Sequence, residues 1–353
     1  MNKKFSIVAA LSLSLFVASA CSKDKKEDSD KGDSPAAKVS DTKGGDTPTE
    51  VKPEADKPGA TAAVAGDIWS HMPADTEMVL ALDVGTLLKS NMWKQYGGMA
   101  TAAAGEKLDL VKEKCGIDLL TSFKSVHVGL NSDKEAPIII VKGIERSVAG
   151  KCIVAMAESE GKKVTVTEEG PITIAKPEEE GKDGMLVGWV DDTTAIIVKG
   201  DTGKEFVLAR IAGKDGLSGN AGLMAMVGKA KQDGPIWFAG KFKEGSKAFE
   251  QAKGMTQGKA LSGVFGGLGF QAGVEIAIGI EFVSESDASA AKGQIDMILP
   301  MAKGSIGPAG ALLDKVKIAT SGKDLTVDIA LTSKDLEMIK NMAAPMLGGM
   351  MGR

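Results

Sequence analysis

The sequence predicts an α+β fold built from two pseudo-repeated halves. Each half has the order β-α-β-β-α-β-β, with mainly antiparallel sheets and helices packed on one face. Three observations predict it. Short runs rich in β-branched residues alternate with turn residues, segments with helical spacing separate groups of these runs, and the order of elements in residues 67–217 recurs in residues 218–353. The first half adds two strands, and the repetition concerns element order rather than residues.

The first half begins with the run TEMVLALDV, residues 76–84. It is apolar on both faces and therefore predicts a central strand. A helical region follows, with an interruption expected near Gly97-Gly98. The strands SVHVGL and PIIIVKG then precede a helix that ends at Gly161, and four β-rich runs and the helix TGKEFVLARIAG complete the half. His127, in the first of those two strands, is interpreted as a half-exposed strand residue rather than a ligand.

The second half starts with the strand GPIWFAGKF and the helix GSKAFEQAKG. A glycine-rich hairpin follows, made of SGVFGGLGFQAG and VEIAIGIEF. The next helix has Ser286 or Asp287 as its N-cap, and a hairpin with its turn at residues 321–324 leads to a last helix. One apolar stripe is expected on the long helix. Its members are Ala288, Ala291, Ile295, Ile298 and Leu299.

Residues 1–20 have the composition of a signal peptide. Lys3 and Lys4 precede an apolar run, residues 5–20, which as a helix would span about 24 Å and so fall short of a bilayer core of about 30 Å. A cleaved signal is therefore predicted rather than a permanent span. The sequence ASAC, ending at Cys21, resembles the lipobox of bacterial lipoproteins, although Ala18 stands where Leu is usual. We expect Cys21 to carry diacylglyceride and palmitate. A freely secreted chain cut at the same bond is the alternative.

From Ser22 to Gly66 the chain has no aromatic residue and no Leu, Ile or Met. Such a segment cannot bury enough apolar surface to fold. Residues 21–66 are therefore predicted to be a lipidated cysteine and a disordered tether. The resemblance to lipoproteins implies that Ser22, after Cys21, directs the chain to the outer membrane, where the folded region would face the periplasm.

Two further cysteines, Cys115 and Cys152, lie in helical segments of the first half. An even pair in an oxidising compartment suggests a structural disulfide, with a redox pair as the alternative. Metal binding is not expected, because the chain has only two histidines and no C-x-x-C motif. The net charge of −4 does not favour a nucleic-acid partner.

The segments MPADTEMVLALDVGTLLKSNMW and CGIDLLTSFKSVHVGL resemble a set of uncharacterised bacterial envelope lipoproteins of the myxobacterial type. The shared features are a Pro-Ala-Asp turn, a strand that ends in an Asp, a helix that starts with spaced Leu and Ser residues, and a CGID cysteine. The matching residues are Pro73, Ala74, Asp75, Asp83, Leu87 or Leu88, and Ser90. The resemblance supports pairing of Cys115 with Cys152, and it implies no catalytic residues.

The glycine-rich hairpin and the methionines are the candidate binding features. Gly266, Gly267 and Gly269 leave little side-chain cover on the sheet, which indicates either a closely packed helix or an apolar ligand. Met297 and Met301 indicate either an adaptable apolar surface or ordinary core. The sequence GLGFQA imitates a dinucleotide-binding loop, but a strand follows it where that motif requires a helix.

The sequence as a whole predicts a non-enzymatic binding or scaffolding lipoprotein of the cell envelope, with no cofactor. The alternative is a carrier of a lipid or another apolar ligand, and an envelope hydrolase is a remote third class. A carrier requires an apolar cavity, a scaffold requires an exposed apolar patch, and a hydrolase requires converging polar groups with shifted pKa values.

Overall fold

Strands form where the sequence has short β-rich runs bounded by turn residues. We describe residues 68–134, 136–179, 181–255, 260–305, 307–339 and 341, as they stand in a computed structural model. Their strands are β1 (Met78–Asp83), β2 (Ser125–Leu130), β3 (Ile138–Lys142), β4 (Val164–Glu169), β5 (Ile172–Pro177), β6 (Met185–Asp191), β7 (Thr194–Lys199), β8 (Ile236–Lys241), β9 (Leu261–Gly269), β10 (Gly273–Phe282), β11 (Val316–Ser321) and β12 (Asp324–Thr332).

These strands make one sheet rather than one sheet for each half. Its order is β11-β12-β10-β9-β8-β1-β2-β3-β7-β6-β5-β4, which in the described residues comprises twelve strands. All neighbouring pairs are antiparallel. β1 pairs with β2 on one side and with β8 on the other, so the predicted central strand is confirmed and the two halves are continuous through it.

Helices precede, separate and follow the groups of strands along the chain. They are α1 (Ile68–His71), α2 (Val84–Lys89), α3 (Asn91–Cys115), α4 (Leu119–Ser122), α5 (Arg146–Ser159), α6 (Lys204–Ile211), α7 (Ala221–Lys229), α8 (Lys247–Met255), α9 (Glu285–Ser305) and α10 (residues 333–339). Short 3-10 segments cover Gly200–Thr202, Leu217–Gly219 and Gly307–Lys315.

Helix caps explain two differences from the sequence-based expectation. The first helical region breaks at Ser90, not at Gly97-Gly98, because the Ser90 hydroxyl accepts a hydrogen bond from the backbone N–H of Trp93 at 3.1 Å and so starts a new helix. Helix α9 is capped by Ser284, whose hydroxyl oxygen accepts from the N–H of Asp287 at 3.1 Å. The predicted caps Ser286 and Asp287 therefore lie inside the helix.

Helices cover both faces of the sheet, and the prediction of one covered face was wrong. On β7, Ile196 packs in a core with helices α1, α6 and α7, whereas the adjacent Ala195 and Ile197 pack with α5. We call the first side face A and the second face B. Successive side chains of a strand point to opposite faces of the sheet. A strand with a continuous apolar run therefore has apolar side chains on both faces, and both faces are buried. Helix α9 covers face B at the other end of the sheet, over β10, β11 and β12.

Helix α7 is the longest of the described helices that the sequence analysis did not predict. Asn220 caps it, because its side-chain oxygen accepts a hydrogen bond from the N–H of Leu223 at 3.0 Å. Leu223, Met226 and Val227 are buried on face A, at the i, i+3 and i+4 spacing of an amphipathic helix. That cap and spacing are signals that the sequence contains.

Candidate functional site

The most exposed large apolar side chains of the described residues lie on α9. Met297, Ile298 and Met301 are 70%, 60% and 72% exposed. We call these three residues the α9 flank. The exposure of Ile298 contradicts its predicted place in the apolar stripe, whereas Ala288, Ala291 and Ile295 of that stripe do pack in the core of face B.

Helical geometry explains why the two methionines of the flank are exposed. With about 100° per residue, Met297 and Met301 lie about 160° and about 120° around the helix from the sheet-facing Ile295. They are therefore turned away from the core. The same rotation places Lys292, Asp296 and Lys303 on the opposite side of the sheet-facing stripe.

Ion pairs occupy that opposite side. Lys292 Nζ lies 2.6 Å from Asp296 Oδ2, and Lys303 Nζ lies 2.5 Å from Asp314 Oδ1. Asp314 belongs to the 3-10 segment Gly307–Lys315, which packs against β11 and β12. The α9 flank therefore points away from this segment, and one helix carries a polar side and an apolar side next to its buried stripe.

Face B also carries partly exposed apolar residues on the strands beside α9. Ile278 on β10 is 41% exposed, and Phe238, Val264 and Ile276 are partly exposed. Gly266 pairs with both Ile278 and Phe238, so these side chains lie on the same face of adjacent strands. We call Phe238, Val264, Ile276 and Ile278 the face-B floor.

Close packing accounts for the three candidate glycines. A Cβ atom at Gly266 would lie 2.4 Å from the carbonyl oxygen of Ala277, and one at Gly267 would lie 2.3 Å from that of Lys231. One at Gly269 would lie 3.3 Å from Glu275 Cβ. Gly266 and Gly267 are neighbours on a strand and face opposite sides of the sheet. The structure therefore does not bring the glycines together on one surface with Met297 and Met301.

The predicted disulfide is confirmed. Cys115 ends α3 and Cys152 lies in α5, with their Cα atoms 4.7 Å apart and their sulfurs bonded. Cys21, the predicted lipidation site, lies outside the described residues.

A buried polar cluster on face A was not predicted. The guanidinium of Arg210 donates to the carbonyl oxygens of Met72 and Asp215 at 3.3 and 3.0 Å. His71 Nδ1 donates to the carbonyl oxygen of Arg210 at 2.7 Å. Burial lowers the pKa of Arg210, against the opposing effect of Asp215 and Asp75. These bonds join α1, α6 and the turn at Asp215, so the cluster has a structural role.

His127 is buried, which corrects its interpretation as half-exposed. Its ring centre lies 6.0 Å from that of Trp69, edge-on. Within the described residues its Nδ1 atom has no hydrogen-bond partner. Burial lowers the pKa of His127 to about 4; the nearby Lys142 acts in the same direction, and Asp83 opposes it.

A charged network joins α7 to the sheet on face A. Lys229 Nζ lies 2.8 Å from both Glu281 and Asp324, and Lys241 forms a second ion pair with Glu281. Burial of Glu281 would raise its pKa, but hydrogen bonds from Lys229, Lys241 and Ser262 outweigh burial and lower the pKa to about 2. Every charge in this network is compensated, as expected for a structural cluster.

An open cleft of about 390 Å³ lies between α3 and α4, and its rim includes the exposed ion pair of Lys112 and Asp118. In the part of the chain that the structure describes, no three His, Cys, Asp or Glu residues could together hold a metal ion. None of the described helices is long and apolar enough to cross a bilayer.

The single sheet and the α9 flank define the class of this protein. It is an α+β protein with one antiparallel sheet and an exposed apolar surface on helix α9. The sequence matches no protein-family model and no curated protein. Crystal forms of TP0453 are similar in structure. Form I is 9% identical with a TM-score of 0.44 over 77% of this chain and 96% of that one. Form III is 12% identical with a TM-score of 0.43 over 76% of this chain and 95% of that one. Form IV is 11% identical with a TM-score of 0.44 over 77% of this chain and 95% of that one.

Proposed function

We propose that this chain is a lipid-anchored protein of the bacterial cell envelope that binds an apolar partner and does not catalyse a reaction. Residues 1–20 would be its signal peptide, Cys21 its lipid attachment site, and residues 22–66 its tether to the outer membrane. The sequence ASAC and the composition of the tether support the anchor. The disulfide supports an oxidising compartment such as the periplasm.

The α9 flank is the observation that carries the binding role. Three large apolar side chains, each at least 60% exposed, stand together on one helix. Patches of this kind on soluble domains mark surfaces that bind other molecules. Two of the three are methionines, whose flexible thioether side chains adapt to different apolar surfaces. The partner that fits is an apolar or aromatic surface of another envelope protein.

A photo-crosslinking amino acid at Ile298 tests this function in the native cell. We expect the crosslinker to trap a discrete set of partners. The matched control is the same crosslinker at Asp296, which is exposed on the polar side of the same helix. Equal adducts at the two positions would contradict the proposal.

A second candidate function is transport of an apolar ligand, and the face-B floor favours it. Ile278 is 41% exposed on the sheet face that α9 covers farther along. A carrier purified without detergent would retain a ligand that organic solvent releases, and mass spectrometry would detect it. Substitution Ile278→Gln should then lower the retained amount, whereas Leu208→Gln, at another exposed apolar position in α6, should not.

We also infer that the two halves are structurally equivalent. The strand order supports this, because β1-β2-β3-β7 and β8-β9-β10-β12 run outward from the centre of the sheet in corresponding order. Helices α5 and α9 each follow the third of these strands and cover face B. Superposition of the two four-strand sets tests the equivalence, and strands that differed in direction or order would contradict it.

A further inference from the structure

Within α9, which the structure describes in full, the side that faces away from the sheet carries no charged side chain. With about 100° per residue, six residues between positions 290 and 304 lie about 120–180° around the helix from Ile295, and all six are exposed. We call them the α9 seam: Ala290, Gly293, Met297, Pro300, Met301 and Gly304. The charged residues of α9 lie within about 100° of Ile295. They are Glu285, Asp287, Lys292, Asp296 and Lys303.

Gly293 lies in the middle of this helix, where glycine is less favourable than alanine. A Cβ atom at Gly293 would have no neighbour within 4 Å, whereas the space at Gly266 is filled by the backbone of β10 and by Phe238. Packing among the described residues therefore does not require a glycine at position 293. Close packing of a second helix against the seam would require one.

The α9 seam is complementary in size to a reversed copy of itself. Gly293 and Met301 stand four positions before and after Met297, and Ala290 and Gly304 stand seven positions before and after it. If a second α9 lies antiparallel with Met297 beside Met297, Met301 of each copy faces Gly293 of the other, and Ala290 faces Gly304. Large side chains then meet small residues, as close packing requires, and both exposed methionines of each copy are covered.

We propose that two copies of the chain form a symmetric dimer in which their α9 seams pack antiparallel, with Met297 on the two-fold axis. Both copies use the same surface in such a dimer, as is usual for two-fold pairs. No charged residue of α9 belongs to the seam, so its contacts bury no charge that would need a partner.

The size of the seam predicts a weak and reversible dimer. The seam spans about 21 Å along the helix, and one pair of helices of this length buries less than the roughly 800 Å² per partner of a standard interface. The proposal rests on the proposed function, because the external partner binds the same methionines and would have to displace the second copy.

Sedimentation equilibrium of the mature full chain, from micromolar to submillimolar concentration, measures the dimer. The mass should approach that of two copies as the concentration rises. Gly293→Gln fills the space opposite Met301 and should raise the dissociation constant about tenfold, because overpacking a close contact is unfavourable. Gly228→Gln is the matched control, since Gly228 is also an exposed helical glycine with open space around it, but in α7. It should leave the dissociation constant unchanged.

Cysteine crosslinking tests the register. In the mature full chain with Cys21→Ser, Cys115 and Cys152 are bonded to each other, so an added cysteine is the only free thiol. Met297→Cys should form a covalent dimer about tenfold faster than Asp296→Cys, because thiols held together on the axis have a high effective concentration. Asp296 is exposed on the same helix, but on the side of Lys292.

A mixture of two variants tests the direction of the helices. Chains with Gly293→Cys and chains with Met301→Cys should crosslink with each other faster than either variant crosslinks with itself. In the antiparallel dimer the two copies of either position are about 12 Å apart along the helix. Parallel helices would instead bring like positions together, so faster crosslinking within each variant would overturn the proposal.

A mass of one copy at all concentrations would also overturn the proposal, and so would equal crosslinking by Met297→Cys and Asp296→Cys. The two proposals fail separately. If the dimer does not form, a crosslinker at Ile298 still traps other envelope proteins. If there is no external partner, Met297→Cys still forms covalent dimers, and the adducts at Ile298 contain only a second copy of this chain.

Discussion

His127 lies on β2, where its side chain is buried edge-on against the ring of Trp69. Burial favours its neutral form and lowers its pKa to about 4 from a usual value near 6.5. In the unfolded chain the ring would take up a proton near its usual pKa. Between these two pKa values, the unfolded state therefore binds more protons than the folded state.

The free energy of unfolding should consequently be highest above pH 6.5 and fall as the pH is lowered to 4. At 1.36 kcal/mol per pKa unit, the loss approaches about 3 kcal/mol. Urea titrations at pH 7 and pH 4.5 measure it. The variant His127→Gln cannot take up this proton, so its stability should depend less on pH. A pH dependence equal to that of the parent chain would show that other groups cause it.

The space beside Gly266, where other residues have a Cβ atom, is occupied by its neighbours. A Cβ atom there would collide with the backbone of β10 and with the ring of Phe238, which lies 2.8 Å away. Gly266→Ala should therefore lower the free energy of unfolding by about 1–3 kcal/mol. Gly269→Ala is the control, because the nearest atom to its Cβ atom would be Glu275 Cβ, at 3.3 Å. Thermal unfolding of both variants measures the difference, and equal effects would contradict the packing explanation.

At the scale of elements, the disulfide fixes α3 against α5. It closes a loop with a sequence separation of 37, and a crosslink of this span restricts the unfolded chain. Replacing both cysteines, Cys115→Ser with Cys152→Ser, should reduce the free energy of unfolding by on the order of 3–4 kcal/mol. Guanidinium unfolding of the parent chain with and without a reductant provides the comparison. The effect of the reductant should disappear in the double variant.

Three sides of helix α9 have different surroundings. Ala288, Ala291 and Ile295 bury a stripe against the sheet, charged pairs take one side, and the α9 flank takes the other. Ile298 has the spacing of a core residue, seven positions after Ala291, but its side chain is 60% exposed. Periodicity alone could not distinguish the two sides.

At the scale of the molecule, one sheet joins the two halves through β1 and β8. The core of face A contains Val79 and Ile196 from the first half and Trp237 and Phe265 from the second. Separation of the halves would cut this core and expose two new strand edges, which are prone to pair with other chains.

Residues 68–217 and residues 218–341, each expressed alone, should therefore not unfold cooperatively, whereas the whole folded region should give one transition. Calorimetry and near-ultraviolet circular dichroism measure this. A half that shows its own cooperative transition would favour independent domains instead.

The sequence by itself determined the local elements. Most strands, the helices α5 and α6, and the hairpin turn at residues 321–324 are at their predicted positions. This succeeded because turn residues and a period of two depend on neighbours along the chain. The pairing of Cys115 with Cys152 was also predicted, since the two cysteines form an even pair in the folded region and a family resemblance supports the pairing.

Only the tertiary structure decided how these elements combine. It joined both halves in one sheet and placed helices on both faces. It also filled the space at Gly266 with Phe238 and the backbone of β10, and it left Ile298 exposed. These outcomes depend on contacts between residues far apart in the chain. An apolar side chain has the same preference for burial at every position, and only the available neighbours determine whether that preference is met.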